Sequence, residues 1–371
     1  MRKTVSAAMA LLLVLQVNGK APVKTVSIPA SDQRITYIGR TAVNGDKVSF
    51  DWTGTYLRLR FKGNSLSVKA SDTQKNYYNV WVDSDMASAP TSVIAIAGKD
   101  TTISLAAINA KGKAVAHDVI MQKRTEGEQG TTTLASFSTD GEFLQAEGPK
   151  KRIIEYVGDS YTCGYGTEAS NTERFKPETE NQNLTYACAV ARYFGADQIV
   201  IAHSGMGISR NYNGKFAGYT MPERYLQTFD MERKADWNAA ASALKPDLTV
   251  IYLGTNDFST SHQPNEWLFR RDYVKLLNEI KANYGEDYPI LCVAPKSQEN
   301  IAQYVRGAVN TCGLKNVSLV TLTPTLYNDG SAEDMGADGH PNYNGHMKLA
   351  YSLIPYVATV TGWELRPDII R

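Results

Sequence analysis

Four short segments of the sequence carry residues suited to acyl transfer. Ser160 lies in a Gly-Asp-Ser-Tyr tetrapeptide that follows the apolar run 153–157, at a point where a strand should end and a helix begin. Gly205, Asn256 and His340 follow in chain order. Ester hydrolysis needs an activated hydroxyl, a base with a near-neutral pKa, and neutral donors aimed at the oxygen that becomes an oxyanion. These four residues meet all three needs.

Each residue has a distinct role in the predicted reaction. Ser160 would attack the carbonyl carbon, and its backbone N–H would also donate to the oxyanion. Gly205 allows close approach of the backbone, and Asn256 offers an uncharged amide donor. His340 would take the serine proton, and Pro341 holds it extended at a helix entrance. Each segment alone is typical of an ordinary turn, so the prediction depends on their occurring together after strong strand signals.

The second half of the chain contains the elements that would bring these residues together. After residue 148, continuous apolar runs alternate with stretches of helical spacing. Such runs indicate buried parallel strands. The five runs are 153–157, 199–202, 248–253, 290–294 and 317–322, and the helical stretches are 184–194, 267–284, 301–309 and 345–360. The pattern predicts an α/β fold over residues 149–371: a three-layer α/β/α domain with a five-stranded parallel sheet, whose carboxyl edge gathers the site.

The first half has a different pattern. Between about residues 24 and 145 apolar positions alternate with polar ones, as in the runs 57–62 and 65–70, which predict two strands joined through Gly63-Asn64. Many short strands without helices predict a jelly-roll-like β-sandwich over residues 22–148.

Residues 1–21 have the features of an export signal. Arg2 and Lys3 precede an apolar stretch, 7–14, that is too short to span a bilayer. We therefore expect a secreted or periplasmic protein with no membrane partner. The formal net charge of the chain is +1 and falls to −1 without Arg2 and Lys3, so no nucleic acid or other polyanion partner is implied.

The cysteine and histidine patterns predict neither disulfides nor a metal. The four cysteines lie in or beside predicted helices and strands, which favours buried thiols over bridges. No closely spaced cysteine pair, no histidine pair one helical turn apart and no histidine-carboxylate cluster indicates a metal centre. We predict no cofactor and no metal.

The four segments resemble the signature blocks of the SGNH (GDSL-type) hydrolase superfamily, and the narrower resemblance is to carbohydrate esterase family 2. It covers nearly the whole mature chain. The segments that carry it are Phe50-Asp51-Trp52, Arg60-Phe61-Lys62-Gly63, Lys123-Arg124-Thr125-Glu126, the run from Tyr156 to Gly166, Ser204-Gly205-Met206-Gly207, Arg210-Asn211-Tyr212 and Gly254-Thr255-Asn256-Asp257-Phe258.

The resemblance implies an exported O-acetylesterase acting on acetylated plant polysaccharides such as xylan and glucomannan, with a preference for 6-O-acetyl groups. By position it makes Ser160 the nucleophile, the N–H of Ser160, Gly205 and Asn256 the oxyanion donors, and His340 the base. The residues by themselves indicate only an acyl hydrolase.

The chain departs from the wider superfamily beside the histidine. The usual acidic partner lies three residues upstream, where this chain has Ala337, whereas Asp338 lies two upstream. Asp338 is predicted to complete the triad through an altered loop, and a backbone carbonyl in a Ser-His dyad is the alternative. Because an orienting group fixes the tautomer and stabilises the imidazolium, loss of Asp338 is expected to reduce turnover without abolishing it.

Two other functions remain open from the sequence. One is an esterase of the same superfamily that acts on lipids or on general short-chain esters, and the other is a carbohydrate-binding protein with a vestigial serine site. The segment Lys123-Arg124-Thr125-Glu126, just before the domain boundary, is predicted to form an ion-paired interface. Asp159 is expected to bond the strand-helix turn and Asp257 to brace Asn256, and neither is expected to act as the base.

Overall fold

The computed structural model describes residues 25–108, 114–215, 218–295, 299–322 and 333–366. The predicted export signal, residues 1–21, lies outside them. The strands of the first half are β1 (Val26–Pro29), β2 (Thr36–Ile38), β3 (Ala42–Asn44), β4 (Lys47–Phe50), β5 (Tyr56–Lys62), β6 (Ser65–Asp72), β7 (Lys75–Val82), β8 (Ser92–Ala97), β9 (Thr101–Ala107), β10 (Ala116–Lys123), β11 (Thr132–Thr139) and β12 (Glu142–Leu144).

These strands form two antiparallel sheets packed face to face. One has the order β3-β4-β11-β6-β9 with β1 beside β11, and the other has the order β12-β5-β10-β7-β8 with β2 beside β5. Alternate side chains of both sheets meet in one buried core, which includes Phe50, Phe61, Val68, Val119 and Phe137. Period-two alternation produces this arrangement because only one face of each sheet is buried. The predicted β-sandwich is confirmed.

The predicted connection of two strands through Gly63-Asn64 is present between β5 and β6, but it is a corner between sheets and not a hairpin. The two strands belong to opposite sheets, with β5 beside β10 and β6 beside β11. The turn at Asn64 is held instead by Asp140, whose Oδ1 accepts from the backbone N–H of Asn64 (2.7 Å) and of Ser65 (2.9 Å). The alternating pattern is the same in either case, because both strands send their apolar side chains into one core. Pattern alone therefore cannot separate a hairpin from a corner between sheets.

The second half has one parallel sheet with helices on both faces. Its strands are β13 (Ile153–Gly158), β14 (Asp197–Ala202), β15 (Leu248–Tyr252), β16 (Ile290–Ala294) and β17 (Val317–Thr321), in the order β14-β13-β15-β16-β17. The helices are α1 (Ser160–Cys163), α2 (Tyr186–Tyr193), α3 (Met221–Arg224), α4 (Glu266–Tyr284), α5 (Glu299–Thr311) and α6 (Tyr343–Thr361). The five predicted parallel strands and the four long helices are all present.

The strands alternate between two cores, which makes the three layers. Ile251 and Cys292 pack with α4 and α5 on one face. Val250 and Val293 pack with α2 and α6 on the other. Strands buried on both faces read as continuous apolar runs, and this is why their positions could be predicted closely.

The sandwich packs directly against the hydrolase domain. Trp52 and Tyr56 belong to the same apolar cluster as β14, β15 and α4. Arg124 forms an ion pair with Glu168, so the predicted ion-paired interface is confirmed. All four cysteines are free, and Cys163, Cys188 and Cys292 are buried, as expected. No helix in the described ranges combines the length and the apolar character needed to cross a membrane.

Candidate active site

The predicted site residues meet at the carboxyl edge of the parallel sheet. Ser160 opens α1 directly after β13, and the Gly205 loop follows β14. Asn256 follows β15, and His340 follows a short 3₁₀ turn, Ala337–Gly339, before α6. The turn at Gly158 excludes a larger residue, because an added Cβ would lie 2.0 Å from Thr162 Oγ1.

Ser160 and His340 form a hydrogen-bonded pair. The Nε2 atom of His340 lies 2.8 Å from the Oγ of Ser160, and the serine is 7% exposed. The imidazole packs against the ring of Tyr165, with ring centroids 4.2 Å apart. Burial lowers the pKa of His340 to about 4, although the peptide groups of Asp338 and Ala337 and the charge of Asp338 act in the opposite direction. The ring is therefore neutral at pH 7 and can accept the serine proton.

The other ring nitrogen of His340 is not bonded to the Asp338 carboxylate. Nδ1 has no hydrogen-bond partner among the described residues. The Asp338 carboxylate instead pairs with Arg174 Nε (2.9 Å) and accepts from the backbone N–H of Phe175 (3.0 Å). Asp338 has a positive φ of 49°, a left-handed conformation within the turn that precedes His340. The carboxylate therefore does not hold the ring, and the backbone N–H of His340, which donates to Ala337 O at 3.0 Å, ties the residue to the preceding turn.

The Gly205 loop is tightly braced. Gly205 has a φ of +79°, a conformation that favours glycine, and its carbonyl accepts from the N–H of Tyr212 at 2.7 Å. The buried carboxylate of Asp257 accepts from three successive N–H groups, those of Ile208 (2.9 Å), Ser209 (2.7 Å) and Arg210 (3.0 Å). Asp257 thus braces this loop, whereas the sequence had suggested that it braces Asn256.

The side-chain amide nitrogen of Asn256 lies between the Gly205 loop and Asp159. Nδ2 lies 2.9 Å from the carbonyl oxygen of Met206 and 3.1 Å from Asp159 Oδ2. An amide nitrogen carries two hydrogens. Donation to an oxyanion therefore requires Asn256 to exchange one of these bonds when substrate binds, which is compatible with catalytic bonds that tighten only in the complex.

Asp159 caps the helix that begins with the nucleophile. Its Oδ1 accepts from the backbone N–H of Tyr161 at 3.2 Å, which confirms the predicted role at the strand-helix turn. Burial raises the pKa of Asp159 to about 7. The same carboxyl also bonds Asn256, so it joins the helix start to a predicted oxyanion donor.

One carboxylate at the site comes from the sandwich domain, and the sequence did not reveal its function. Glu126 lines the cleft and accepts from the backbone N–H of Ser204 at 2.6 Å. The only sequence signal for Glu126 is its position in the segment Lys123-Arg124-Thr125-Glu126, for which the sequence predicts an interface. Nothing in the sequence pattern indicates that a loop after β10 reaches the edge of the second sheet.

Glu126, Cys163 and Glu180 place potential metal-ligand atoms within 4.8 Å of one another in a buried position. The chemistry of the group fits a metal poorly. Burial raises the pKa of the Cys163 thiol well above its usual value, and a metal needs the thiolate. The buried amino group of Lys123 lies close by and donates to the carbonyl oxygens of Thr125 (2.6 Å) and Glu126 (2.9 Å).

The catalytic pair opens into a cleft of about 860 Å³. Aromatic rings stand on its walls, and Tyr165 stacks on Phe175 with centroids 4.0 Å apart. Tyr212, across the Gly205 loop, is 48% exposed. Hydroxyl and charged groups share the lining, including Lys215 and Ser259. A cleft of mixed aromatic and polar character suits a substrate rich in hydroxyl groups better than an aliphatic chain.

Comparison with known proteins agrees with the fold. Residues 37–147 match the model of the carbohydrate esterase 2 N-terminal domain, and residues 156–348 match the GDSL-like lipase/acylhydrolase family. The fold and the site thus define a GDSL-like acylhydrolase with an N-terminal sandwich.

Two curated relatives and a solved structure identify the family. An acetylxylan esterase / glucomannan deacetylase of Cellvibrio japonicus is 31% identical over 332 residues, 85% of this chain and 86% of the relative. The cellulase/esterase CelE of Acetivibrio thermocellus is 32% identical over 89% of this chain, which spans only 40% of that protein. A family two carbohydrate esterase from Clostridium thermocellum, solved with cellohexaose, has a TM-score of 0.78 and 29% identity, covering 89% of this chain and all of that one. The chain belongs to carbohydrate esterase family 2.

Proposed function

We propose that this protein is an exported serine O-acetylesterase that removes acetyl groups from plant polysaccharides such as xylan or glucomannan. The observation that carries the proposal is the 2.8 Å bond between His340 Nε2 and Ser160 Oγ at the edge of the parallel sheet. The Cellvibrio relative, named an acetylxylan esterase / glucomannan deacetylase, supports the substrate class. The basic and apolar start of the sequence supports export.

The reaction proceeds through an acyl-enzyme. Ser160 Oγ attacks the acetyl carbonyl carbon while His340 Nε2 takes its proton, and the carbonyl oxygen becomes an oxyanion. The N–H groups of Ser160 and Gly205 and the amide of Asn256 donate to that oxygen. The protonated imidazole then gives its proton to the departing sugar oxygen. The sugar leaves as an alcohol, and acetyl-Ser160 remains on the enzyme. Water, deprotonated by His340, attacks this ester, and acetate leaves as Ser160 recovers its proton.

The two candidate polysaccharides differ in which sugar hydroxyl groups can carry an acetyl group. We propose a preference for 6-O-acetyl groups. A xylopyranose unit has no 6-hydroxyl, so this preference predicts faster release from acetylated glucomannan than from acetylated xylan. A time course of acetylated glucomannan followed by proton NMR should show the 6-O-acetyl signals falling first, and an equal decay of all acetyl signals would contradict the preference.

The test of the function is acetate release by the wild type and by Ser160→Ala from both polysaccharides, beside an aryl acetate and an aryl octanoate. Ser170→Ala, at an exposed serine, is the matched control and should keep full activity. We expect acetate release that depends on Ser160. Faster cleavage of octanoate would indicate a lipid esterase, and a folded protein that binds glycan without cleaving any ester would indicate a binding protein.

A further inference from the structure

Glu126 is a buried side chain of the sandwich domain that lines the candidate site. It lies beyond the end of β10 and is 1% exposed. Its Oε2 accepts from the backbone N–H of Ser204 at 2.6 Å, a short bond. Ser204 immediately precedes Gly205, so the bond fixes the peptide next to the one that carries the predicted oxyanion N–H.

The Glu126 backbone is itself held rigidly. Its N–H donates to Glu180 Oε2 at 3.1 Å, and its carbonyl accepts from Lys123 Nζ at 2.9 Å. The next residue, Gly127, has no room for a side chain, because an added Cβ would lie 2.4 Å from Asp230 Oδ2. A carboxylate on such a fixed backbone can define the position of the group it binds.

Most of the other bonds that hold this loop lie after Ser204, and the Gly205 carbonyl accepts from the Tyr212 N–H at 2.7 Å. Asp257 holds residues 208–210 from the hydrolase side, and the N–H of Met206 donates to His203 O at 3.2 Å. The Ser204 peptide lies between these anchors and the cleft. Gly205, with its left-handed φ, follows at once and gains freedom if the Ser204 N–H is released.

We propose that Glu126 is a positioning residue for the oxyanion hole, so that the sandwich domain takes part in catalysis by fixing, from across the domain boundary, the His203–Ser204 peptide that adjoins the Gly205 N–H. This inference rests on the proposed function, in which the Gly205 N–H stabilises the oxyanion. Loss of one oxyanion donor costs about 100- to 1000-fold in turnover, and a misplaced donor costs part of that.

The test compares Glu126→Ala, Glu126→Gln and wild type with an aryl acetate. Glu126→Ala should lower kcat by about 10- to 1000-fold with KM changed by less than about threefold, because the lost contact acts on the transition state. Glu126→Gln keeps an oxygen that can accept from Ser204 and should stay within about fivefold of wild type. Glu142→Ala, which removes an exposed carboxylate of the sandwich domain away from the cleft, is the control and should match wild type.

A second measurement tests the positioning role of Glu126 independently of the proposed esterase activity. In hydrogen exchange of the intact protein, amides of the segment 203–207 should exchange faster in Glu126→Ala than in wild type, while β14 keeps its protection. Ser160-dependent hydrolysis with an unchanged kcat in Glu126→Ala would overturn the positioning role and leave the esterase intact. Unchanged exchange of 203–207 would also overturn it. A wild type that cleaves no ester would refute the proposed function, and exchange alone would then decide whether Glu126 fixes the loop.

Discussion

At the scale of single residues, the most consequential feature is an imidazole that stays neutral without a carboxylate on its Nδ1. Burial lowers the pKa of His340 to about 4. A base with a lowered pKa remains unprotonated as the pH falls, until the pH reaches that pKa. The candidate enzyme is therefore ready to accept the Ser160 proton well into the acidic range, at some cost in the basicity of the imidazole.

This predicts where the acidic limb of activity lies. The kcat/KM of an aryl acetate should fall with a midpoint near pH 4, and about nine-tenths of the maximum should remain at pH 5, whereas an ordinary histidine with a pKa near 6.5 would leave about 3%. The measurement is a pH profile with circular dichroism at each pH to confirm folding. A midpoint near 6.5 would contradict the lowered pKa, and a step near pH 7 that vanishes in Asp159→Asn would report on Asp159 instead.

Asp338 gives a second prediction at this scale. If the peptide groups of residues 337–338 orient His340, Asp338→Asn should lower kcat by less than about tenfold, since an asparagine oxygen can still accept from the Phe175 N–H. In a full triad, the corresponding change costs about 10⁴-fold. The measurement is kcat and KM with an aryl acetate.

Asp338→Ala is the companion variant. It also releases the loop that Arg174 and Phe175 form beside the cleft, so its KM for an oligosaccharide should rise more than that of Asp338→Asn. A loss of 1000-fold or more in kcat for Asp338→Asn, with KM unchanged, would instead identify Asp338 as the partner of His340.

At the scale of elements, the loops after β13, β14 and β15 hold the site together through buried carboxylates. Asp257 is the clearest case, because its two oxygens accept from three backbone N–H groups and from Ser209 Oγ (3.0 Å). Burial raises the pKa of Asp257 to about 6, although the bonds from Ile208, Ser209 and Arg210 oppose the shift. The conformation of residues 208–210, on the loop that carries Gly205, therefore depends on this side chain.

Replacing Asp257 by asparagine should therefore affect stability and turnover together. Asparagine has one acceptor oxygen, and its NH₂ group would face N–H donors, so we expect a loss of about 1–3 kcal/mol in the free energy of unfolding. The kcat should fall as well, because Gly205 lies on the same loop. Urea unfolding and aryl acetate kinetics measure the two effects. Asp287→Asn, at an exposed position of the same domain, should change neither, and a fully active Asp257→Asn would refute the bracing role.

The elements also show what the sequence could and could not predict. Strands buried on both faces were located to within two residues because their apolar runs are continuous, and the chain order of Ser160, Gly205 and Asn256 follows from that sheet. The way in which the strands of the sandwich are connected was harder to predict. A turn at Gly63-Asn64 looks the same whether it closes a hairpin or crosses between sheets, and only the tertiary bond to Asp140 decides it.

The position of Glu126 could not be predicted for a related reason. Side-chain pattern reports which face of a strand is buried, but it does not report which distant loop the next segment meets. The contact between Glu126 and Ser204 spans 78 residues and depends on how two domains dock. The same limit applies to Asp338, whose neighbours Arg174 and Phe175 come from a loop without regular spacing.

At the scale of the whole molecule, charged and apolar side chains buried between the sandwich and the hydrolase domain hold the two together. Asp197 at the start of β14 receives Arg58 Nη2 at 2.5 Å, Arg58 Nη1 at 3.2 Å and Tyr56 Oη at 2.7 Å. The backbone N–H of Lys150 adds a fourth bond at 2.8 Å. Asp197 is fully buried, so its charge depends on these partners.

We therefore expect the two domains to unfold in a single cooperative transition, and its midpoint should depend on the contact between Arg58 and Asp197. Arg58→Met keeps an apolar stem but leaves the Asp197 carboxylate buried without its cation, and breaking a buried pair in this way costs about 3–5 kcal/mol. Guanidinium unfolding followed by tryptophan fluorescence and by circular dichroism measures the change in midpoint.

Arg60→Met is the matched control on the same strand. Arg60 pairs with Asp118 at 3.7 Å with both side chains about half exposed (45% and 63%), and such a surface pair contributes only about 0–1 kcal/mol. A shift of the midpoint in Arg58→Met that Arg60→Met lacks would show that the buried interface couples the two domains. Two separate transitions in the wild type, with neither moved by Arg58→Met, would mean that the domains unfold independently. The fixed placement of Glu126 beside Ser204 could not then depend on that interface.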